Sequence, residues 1–337
     1  MTDLPESEND QLEELRERAE SFESTDSTDG APSSPQTDWA YETLRNFTRM
    51  VVDEYEKLFM LDAKGGLGKT YNIKDVLTRT LGPEGEGAGE PQSKHRGWVY
   101  KAGHTTPLAL FESLWMARHN DVLFLDDMSG LSNSDKCVQM LKAATDTEGE
   151  ENWVTYESSR TPTLGPHETP VETFNFRGQI IISFNETPDN DDFRALEDRA
   201  AGSGAYTLDF DYDDRIRLIR EIAKSDDIST LPYDVRKECV EWVETVSDPS
   251  LEPSIRTLES VLRIREYAEE SNESVDWQKM ALESFDLNYE KYLIWKMRTE
   301  SDMPVSEQVD TFIDKTGRSQ GYYYDLLSEM RQTRNES

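Results

Sequence analysis

Eight consecutive residues, Ala63, Lys64, Gly65, Gly66, Leu67, Gly68, Lys69 and Thr70, have the types and spacing of an anion cradle. Three glycines let the backbone curl until successive N–H groups face one anion. Lys69 adds a positive charge suited to the β- and γ-phosphates of a nucleotide, and Thr70 offers a hydroxyl to Mg2+. Further along, the apolar run from Asp121 to Leu125 ends in Asp126 and Asp127. Asp126 suits a Mg2+ shell filled mostly by water, and Asp127 suits polarising an attacking water. A third candidate is Asn185, which closes the apolar run 179–184. Its neutral amide can orient a water beside a γ-phosphate, although Asn is also an ordinary residue where a strand meets a turn. Arg199 and Arg256 are a fourth pair. One guanidinium from a neighbouring subunit and one from a helical segment could stabilise charge on the γ-phosphate. Arg194, Arg263 and Arg265 lie close enough in sequence to compete for those roles, and pairing with surface carboxylates is an equal account of such arginines.

These groups need elements to hold them. Asp38 reads as the N-cap of a helix with apolar residues at Leu44, Phe47, Val51 and Tyr55. A strand over 57–62 leads into the glycine loop, and a helix follows it to about Gly82. That helix would point its positive end at a bound anion. Residues 82–97 form a Gly/Pro-rich loop. Further strands are expected at 98–102, 121–125, 179–184 and 206–210, with helices at 107–118 and 134–144. The strand 121–125 is expected beside the strand of the glycine loop, delivering both carboxylates to one sheet edge. Residues 153–176 read as a β-hairpin whose long tip carries Arg160, Pro162, Gly165 and Pro166. The pattern is helical from 213 to 271. Strands alternating with helices imply an α/β fold with a mainly parallel sheet. Four regions follow: an acidic tail over 1–37, a core over 38–211, a helical lid over 212–272 and an all-α region over 273–337.

Composition sets the setting. The 337 residues carry 69 acidic and 36 basic side chains, a net charge of −33. Such a balance fits either an acidic disordered chain or a folded protein with an acidic surface. With 7 Trp, 12 Phe and 14 Tyr the chain can build a core, so the second reading holds beyond the tail. Arginine outnumbers lysine, and the carboxylates would stay hydrated where molar salt screens charge within about 3 Å. A haloarchaeal host, plasmid or virus is the expected source. The expectation is of a cytoplasmic protein: no apolar run approaches the ~18 residues of a membrane span, and the first residues lack a secretory pattern. Cys137 and Cys239 make no CxxC, which excludes a disulfide scaffold. His95, His104, His119 and His167 show no paired metal spacing, which argues against a catalytic zinc.

From about residue 40 to 270 the chain resembles the AAA+ ATPases, in the order of its motifs. Residues 63–70 match Walker A, 121–127 Walker B, Asn185 sensor 1, Arg199 the arginine finger and Arg256 sensor 2 on a helical lid. The segments YKAGHTTPLALFESLW, DVLFLDDMSGL, LKAATDT and FNFRGQIIISFNE resemble AAA+ proteins of phages and archaeal mobile elements. The resemblance implies a P-loop three-layer sheet, ATP and Mg2+ as cofactors, and a ring-shaped homo-oligomer. The sequence departs at two places: Ala63 stands where Gly is usual, and Asp127 where Glu is usual, which would slow hydrolysis or serve equally well. KGGLGKT also matches the deviant Walker A of ParA/MinD-type partition ATPases, in which Lys64 would reach a second nucleotide across a dimer. Asn185, the arginine pair and the helical lid speak against that class, leaving Lys64 as an incidental loop lysine.

Two features bear on the client. A hairpin between Walker B and sensor 1 is frequent in AAA+ DNA motors, and Arg160 at its tip could touch a nucleic-acid strand. Residues 305–330 read as a helix of about eight residues, a turn around Gly317 and a second helix carrying Tyr322, Tyr323 and Tyr324. This resembles a helix-turn-helix. Ser319 and Gln320 would open the second helix, and Arg318 and Arg331 could contact phosphates. A surface hairpin and a helical cap are the plainer readings of the same segments. Three functions follow: a motor or loader acting on DNA in replication of a haloarchaeal virus or mobile element, a protein-remodelling ATPase, and a switch or scaffold that binds ATP and hydrolyses it slowly.

Overall fold

The computed structural model describes residues 35–86, 88–89, 96–128, 131, 134–146, 151–158, 161–164, 169–188, 191–202, 204–247, 252–271, 275–285, 287–299 and 303–335. Arg160, His95, His167 and nearly all of the 1–37 tail lie outside them. The fold is mixed α/β, with a parallel sheet of five strands and a helical C-terminal region.

The sheet is built from β1 (Leu58–Ala63), β2 (Trp98–Ala102), β3 (Val122–Asp126), β8 (Gln179–Phe184) and β9 (Tyr206–Leu208), in the order β2-β3-β8-β1-β9. Strands β1, β3 and β8 read as near-continuous apolar runs because both faces are covered. Alternation within β1 divides the two faces. Leu58 and Met60 join Phe111, Leu141, Phe174 and Phe193 on one side. Phe59 and Leu61 join Leu44, Ile73 and Leu77 on the other. The first side is covered by α3 (Pro107–Met116), α4 (Asp135–Ala144) and α5 (Asp191–Glu197), the second by α1 (Pro35–Val52) and α2 (Lys69–Leu81).

Two local expectations need correction. β3 does not lie beside β1: β8 is inserted between them, paired in parallel with both. The acids of β3 therefore face the end of β8 directly, with Asp126 in register with Ser183. Helix α1 starts at Pro35, so Asp38 stands in its first turn.

The hairpin forms as expected, with β4 (Trp153–Thr155) antiparallel to β7 (Thr173–Asn175) and β5 (Thr163–Leu164) antiparallel to β6 (Thr169–Pro170). After β9 come α6 (Tyr212–Ile222), α7 (Tyr233–Val246) and α8 (Ile255–Glu270). Asp211 and Ser254 cap α6 and α8 through side-chain oxygens, which places both starts firmly. Helix α9 (Trp277–Phe285) packs Trp277, Ala281 and Leu282 into the core of α6–α8 around Trp242. A separate core, with Ile294, Phe312, Tyr323 and Leu327 at its centre, unites α10 (Tyr289–Thr299), α11 (Val305–Thr316) and α12 (Gln320–Asn335). Helix α11 is longer than the eight residues expected and ends at Gly317, whose φ of 70° suits glycine.

Candidate functional site

The glycine loop joins the C-terminal end of β1 to the N-terminus of α2. Gly66 and Gly68 have φ of 78° and 73°, a region that other residues enter at a cost. Gly68 stands at the N-cap of α2 and supplies no side-chain bond there, leaving the first N–H groups of the helix directed at the loop interior. Tyr41 of α1 donates from its hydroxyl to the Leu67 carbonyl at 2.6 Å. Asn72 donates to the Gly68 carbonyl at 3.0 Å and accepts from Arg45 at 3.0 Å. Helix α1 thus braces the outside of the loop.

Lys69 is buried, and its ammonium donates to the carbonyls of Ala63 at 3.1 Å and Phe184 at 2.9 Å and to Asn185 Oδ1 at 2.7 Å. Asn185 in turn donates from Nδ2 to Asp127 Oδ1 at 2.7 Å. The two strand-end residues and the lysine therefore form one chain: Lys69, Asn185, Asp127. Burial pushes the Lys69 ammonium below its usual pKa, with Arg256 adding to the effect and Asp126, Asp127 and Asp62 opposing it. Asp127 is exposed and has φ of 48°, so its carboxylate turns out of the strand line that Asp126 ends.

Asp126 is buried and accepts three hydroxyls. Thr70 Oγ1 donates to Oδ2 at 2.7 Å, Tyr100 donates to the same oxygen at 3.0 Å, and Ser183 Oγ donates to Oδ1. Tyr100 reaches it from β2, with the Lys74 ammonium 3.2 Å from its ring centre. Burial, reinforced by Asp126, pushes the Tyr100 hydroxyl up to about 12. Thr70 and Asp126 are hard oxygen donors side by side, the ligand type Mg2+ takes when a substrate phosphate and waters complete its shell. Among the described residues no cluster of three His, Cys, Asp or Glu could hold a metal without such help.

The start of α8 lies across the loop. The Ile255 N–H donates to the Gly66 carbonyl at 3.0 Å. A Cβ on Gly66 would meet Ser254 Cβ at 2.7 Å, and one on Gly65 would meet Arg256 Nη1 at 3.2 Å. Alanine at Gly66 would therefore collide with the α8 entry as well as strain the backbone. A cavity of about 670 Å3 opens beside the loop, walled by α1, α2, α6 and α8, with Tyr41, Lys69, Thr70, Tyr71 and Arg256 in its lining. That lies within the range of ~300–1,000 Å3 common for small-molecule sites.

Residues 63–70, Asp126, Asp127, Asn185 and Arg256 thus converge at one edge of the sheet. Arg199 does not join them within the chain. Its Nη1 donates to the Lys142 carbonyl at 2.6 Å, near the end of α4. Arg194 is exposed and pairs with Asp191 at 3.3 Å. Three residues of the site went unassigned from sequence. Tyr100 and Ser183 meet Asp126 only through the register of β2 and β8 on β3, and Tyr41 meets the loop only through the packing of α1.

No family model and no curated protein matches the chain. Among solved structures it is similar to a Bacillus subtilis DNA clamp loader delta protein (YqeN), at 12% identity. The match covers 85% of this chain and 76% of that one, with a TM-score of 0.28. At that identity and score the likeness carries nothing about activity.

Proposed function

We propose that this chain is an AAA+-type P-loop ATPase that couples Mg-ATP hydrolysis to remodelling or loading on DNA. The observation that carries the ATPase reading is the chain Lys69–Asn185–Asp127, closed on one side by Thr70 with Asp126 and on the other by Arg256. In this reading residues 63–70 bind the phosphates, and Lys69 exchanges its internal acceptors for phosphate oxygens. Thr70 and Asp126 hold Mg2+, which when bound neutralises charge on the β- and γ-phosphates. Asp127 accepts the proton of the attacking water, and Asn185 keeps that carboxylate aimed. Arg256 reads the γ-phosphate from α8. Arg199 serves the nucleotide of a neighbouring subunit in a ring, releasing the Lys142 carbonyl to do so. The chain divides into a tail over 1–37, a nucleotide core over 38–211, a lid over 212–272 and a C-terminal helical region over 273–337. The acidic composition supports a setting in concentrated salt, as in a haloarchaeal virus or mobile element.

The DNA client is supported by α10–α12. These helices share one core, and α11 and α12 are joined by the short turn 317–319. Ser319 Oγ accepts from the Tyr322 N–H at 3.3 Å and opens α12, which leaves Gln320, Tyr324 and Arg331 exposed. A short turn joining two helices, the second with an exposed face, supports a helix-turn-helix reading. A protein client is the second reading. One observation favours it: the described residues of the hairpin 153–176 include exposed Glu157 and Glu172 and no lysine or arginine. ATP turnover in molar KCl, with and without single- and double-stranded DNA, separates them. DNA stimulation that vanishes in Lys69→Ala supports the loader. Turnover indifferent to DNA points to a protein client, and tight ATP binding without turnover leaves a nucleotide switch.

A further inference from the structure

Lys64 enters the proposed phosphate loop through its backbone alone, yet its side chain is engaged. Its ammonium is paired with Glu252 Oε1, just ahead of α8, and both side chains are about half exposed. The other Glu252 oxygen lies 3.6 Å from Arg215 Nη2 on α6. Arg215 is a fixed post: its side chain is 3% exposed, and its Nε donates to the Phe210 carbonyl at 2.9 Å. Its Nη2 makes no hydrogen bond, so Glu252 is the anion it faces. The Lys64 hydrogen bond holds the Glu252 carboxyl below the usual carboxylate range.

From Glu252 the chain runs straight onto the glycine loop. Pro253 is buried, Ser254 and Thr257 close a capping box, and the Ile255 N–H meets Gly66. Arg256 follows, beside Gly65. A guanidinium acts on a phosphate best when supporting contacts hold it within about half an ångström of the productive geometry. The loop itself offers one backbone bond for that purpose, and the Lys64–Glu252–Arg215 contact adds a second anchor on the other side of Pro253.

We propose that Glu252, joined to Lys64 and Arg215, is a positioning residue that fixes the entry of α8 on the glycine loop so that Arg256 faces the γ-phosphate. The inference rests on the nucleotide reading of the site. It also gives Lys64 a role within its own chain rather than across a dimer.

The test is the preference for ATP over ADP, measured on the full chain by displacement of a fluorescent nucleotide. Arg256→Ala should lower the preference about tenfold or more, the scale of one charged hydrogen bond. Glu252→Gln and Lys64→Ala should each lower it about two- to fivefold, the range an exposed ion pair carries. The double variant should lose no more than either single one, and Glu252→Gln should add nothing to Arg256→Ala, because they share one interaction. Glu252→Asp should keep most of the preference. Thermal melts confirm folding, and Lys64→Ala serves if Glu252→Gln does not fold. An unchanged preference in both Glu252→Gln and Lys64→Ala overturns the inference, as does a loss that adds fully to that of Arg256→Ala. Wild-type nucleotide affinity in Lys69→Ala would instead remove the nucleotide reading itself.

Discussion

The glycine-loop edge of the sheet and the α10–α12 unit are both rich in polar side chains, but they use them differently. At the loop edge, groups from β2, β3, β8, α2 and α8 converge, and most are bonded to a side chain from another element. In the C-terminal unit Arg318 and Tyr322 pair with Glu290 at the rim, and the buried Lys291 ammonium reaches out to the half-exposed Glu329. Among its described residues the Tyr323 hydroxyl donates to Gln308 at 3.0 Å, and the buried Lys291 ammonium reaches the Ser247 carbonyl at 3.4 Å. Rim pairs contribute little to stability and can be exchanged freely. Lys69 is held by two backbone carbonyls and an amide oxygen with the carboxylates of Asp126 and Asp127 nearby, a costly arrangement of the kind that clusters at functional sites. In the proposed reading the first region is the reacting site and the second a packed platform that presents a surface.

Substitutions should separate the two regions in size of effect. Lys69→Ala removes the cation that three acceptors surround, and ATP affinity should fall at least about a hundredfold, in line with losing charged hydrogen bonds of ~1.5–3 kcal/mol each. Nucleotide titration checks this, and near-normal affinity would erase the contrast. Tyr100→Phe takes one hydroxyl from Asp126 and leaves the ring under Lys74. The Mg2+ concentration for half-maximal turnover should rise about tenfold, as is usual when a partner of a metal ligand is lost. An unchanged Mg2+ dependence would make the Tyr100 contact merely structural. On the platform, Gln320→Ala with Tyr324→Ala should reduce DNA stimulation about fivefold, within the ~1–3 kcal/mol of a base contact. No change would leave α12 outside any DNA interface.

The smallest effect is one of pH. Glu266 of α8 accepts from Ser229 Oγ at 2.6 Å and from the N–H and Oγ1 of Thr230, both at 3.1 Å. The Ser229 bond, helped by those from Thr230, holds its carboxyl below the usual range. A lowered carboxylate pKa contributes stability that is full above its unfolded value, roughly pH 4.3, and is lost as pH falls through the folded value. Glu266→Gln should therefore melt below wild type by a constant margin from neutral pH to about pH 5. The margin should close below about pH 4. A margin that persists in acid would mean that the carboxylate charge is not the cause.

How much could be read in advance follows from how local each feature is. Residues 63–70 are contiguous, and strand, glycines and helix declare themselves together. Asp126, Asp127 and Asn185 were legible as polar ends of apolar strands. The insertion of β8 between β1 and β3 was not, because neighbour order depends on how helices cross the sheet rather than on any strand's composition. The same ignorance hid Ser183 and Tyr100, which touch Asp126 only once the register is known. Lys64 looked incidental because its partner, Glu252, lies far along the chain in a stretch with no motif. The α12 surface was visible as a helix after a Gly turn, while its buried Tyr323 and exposed Tyr324 were separated only by packing.

The most direct measurement is nucleotide binding and phosphate release by Asp127→Asn, run beside wild type with Mg-ATP in molar KCl. The amide keeps the shape of the carboxylate and its place beside Asn185 but cannot accept the proton of water. Binding within about twofold of wild type, with turnover reduced about a hundredfold or more as for a lost general base, is the predicted result. Wild-type turnover in Asp127→Asn would contradict the account, because the chain Lys69–Asn185–Asp127 would then not be the machinery of hydrolysis.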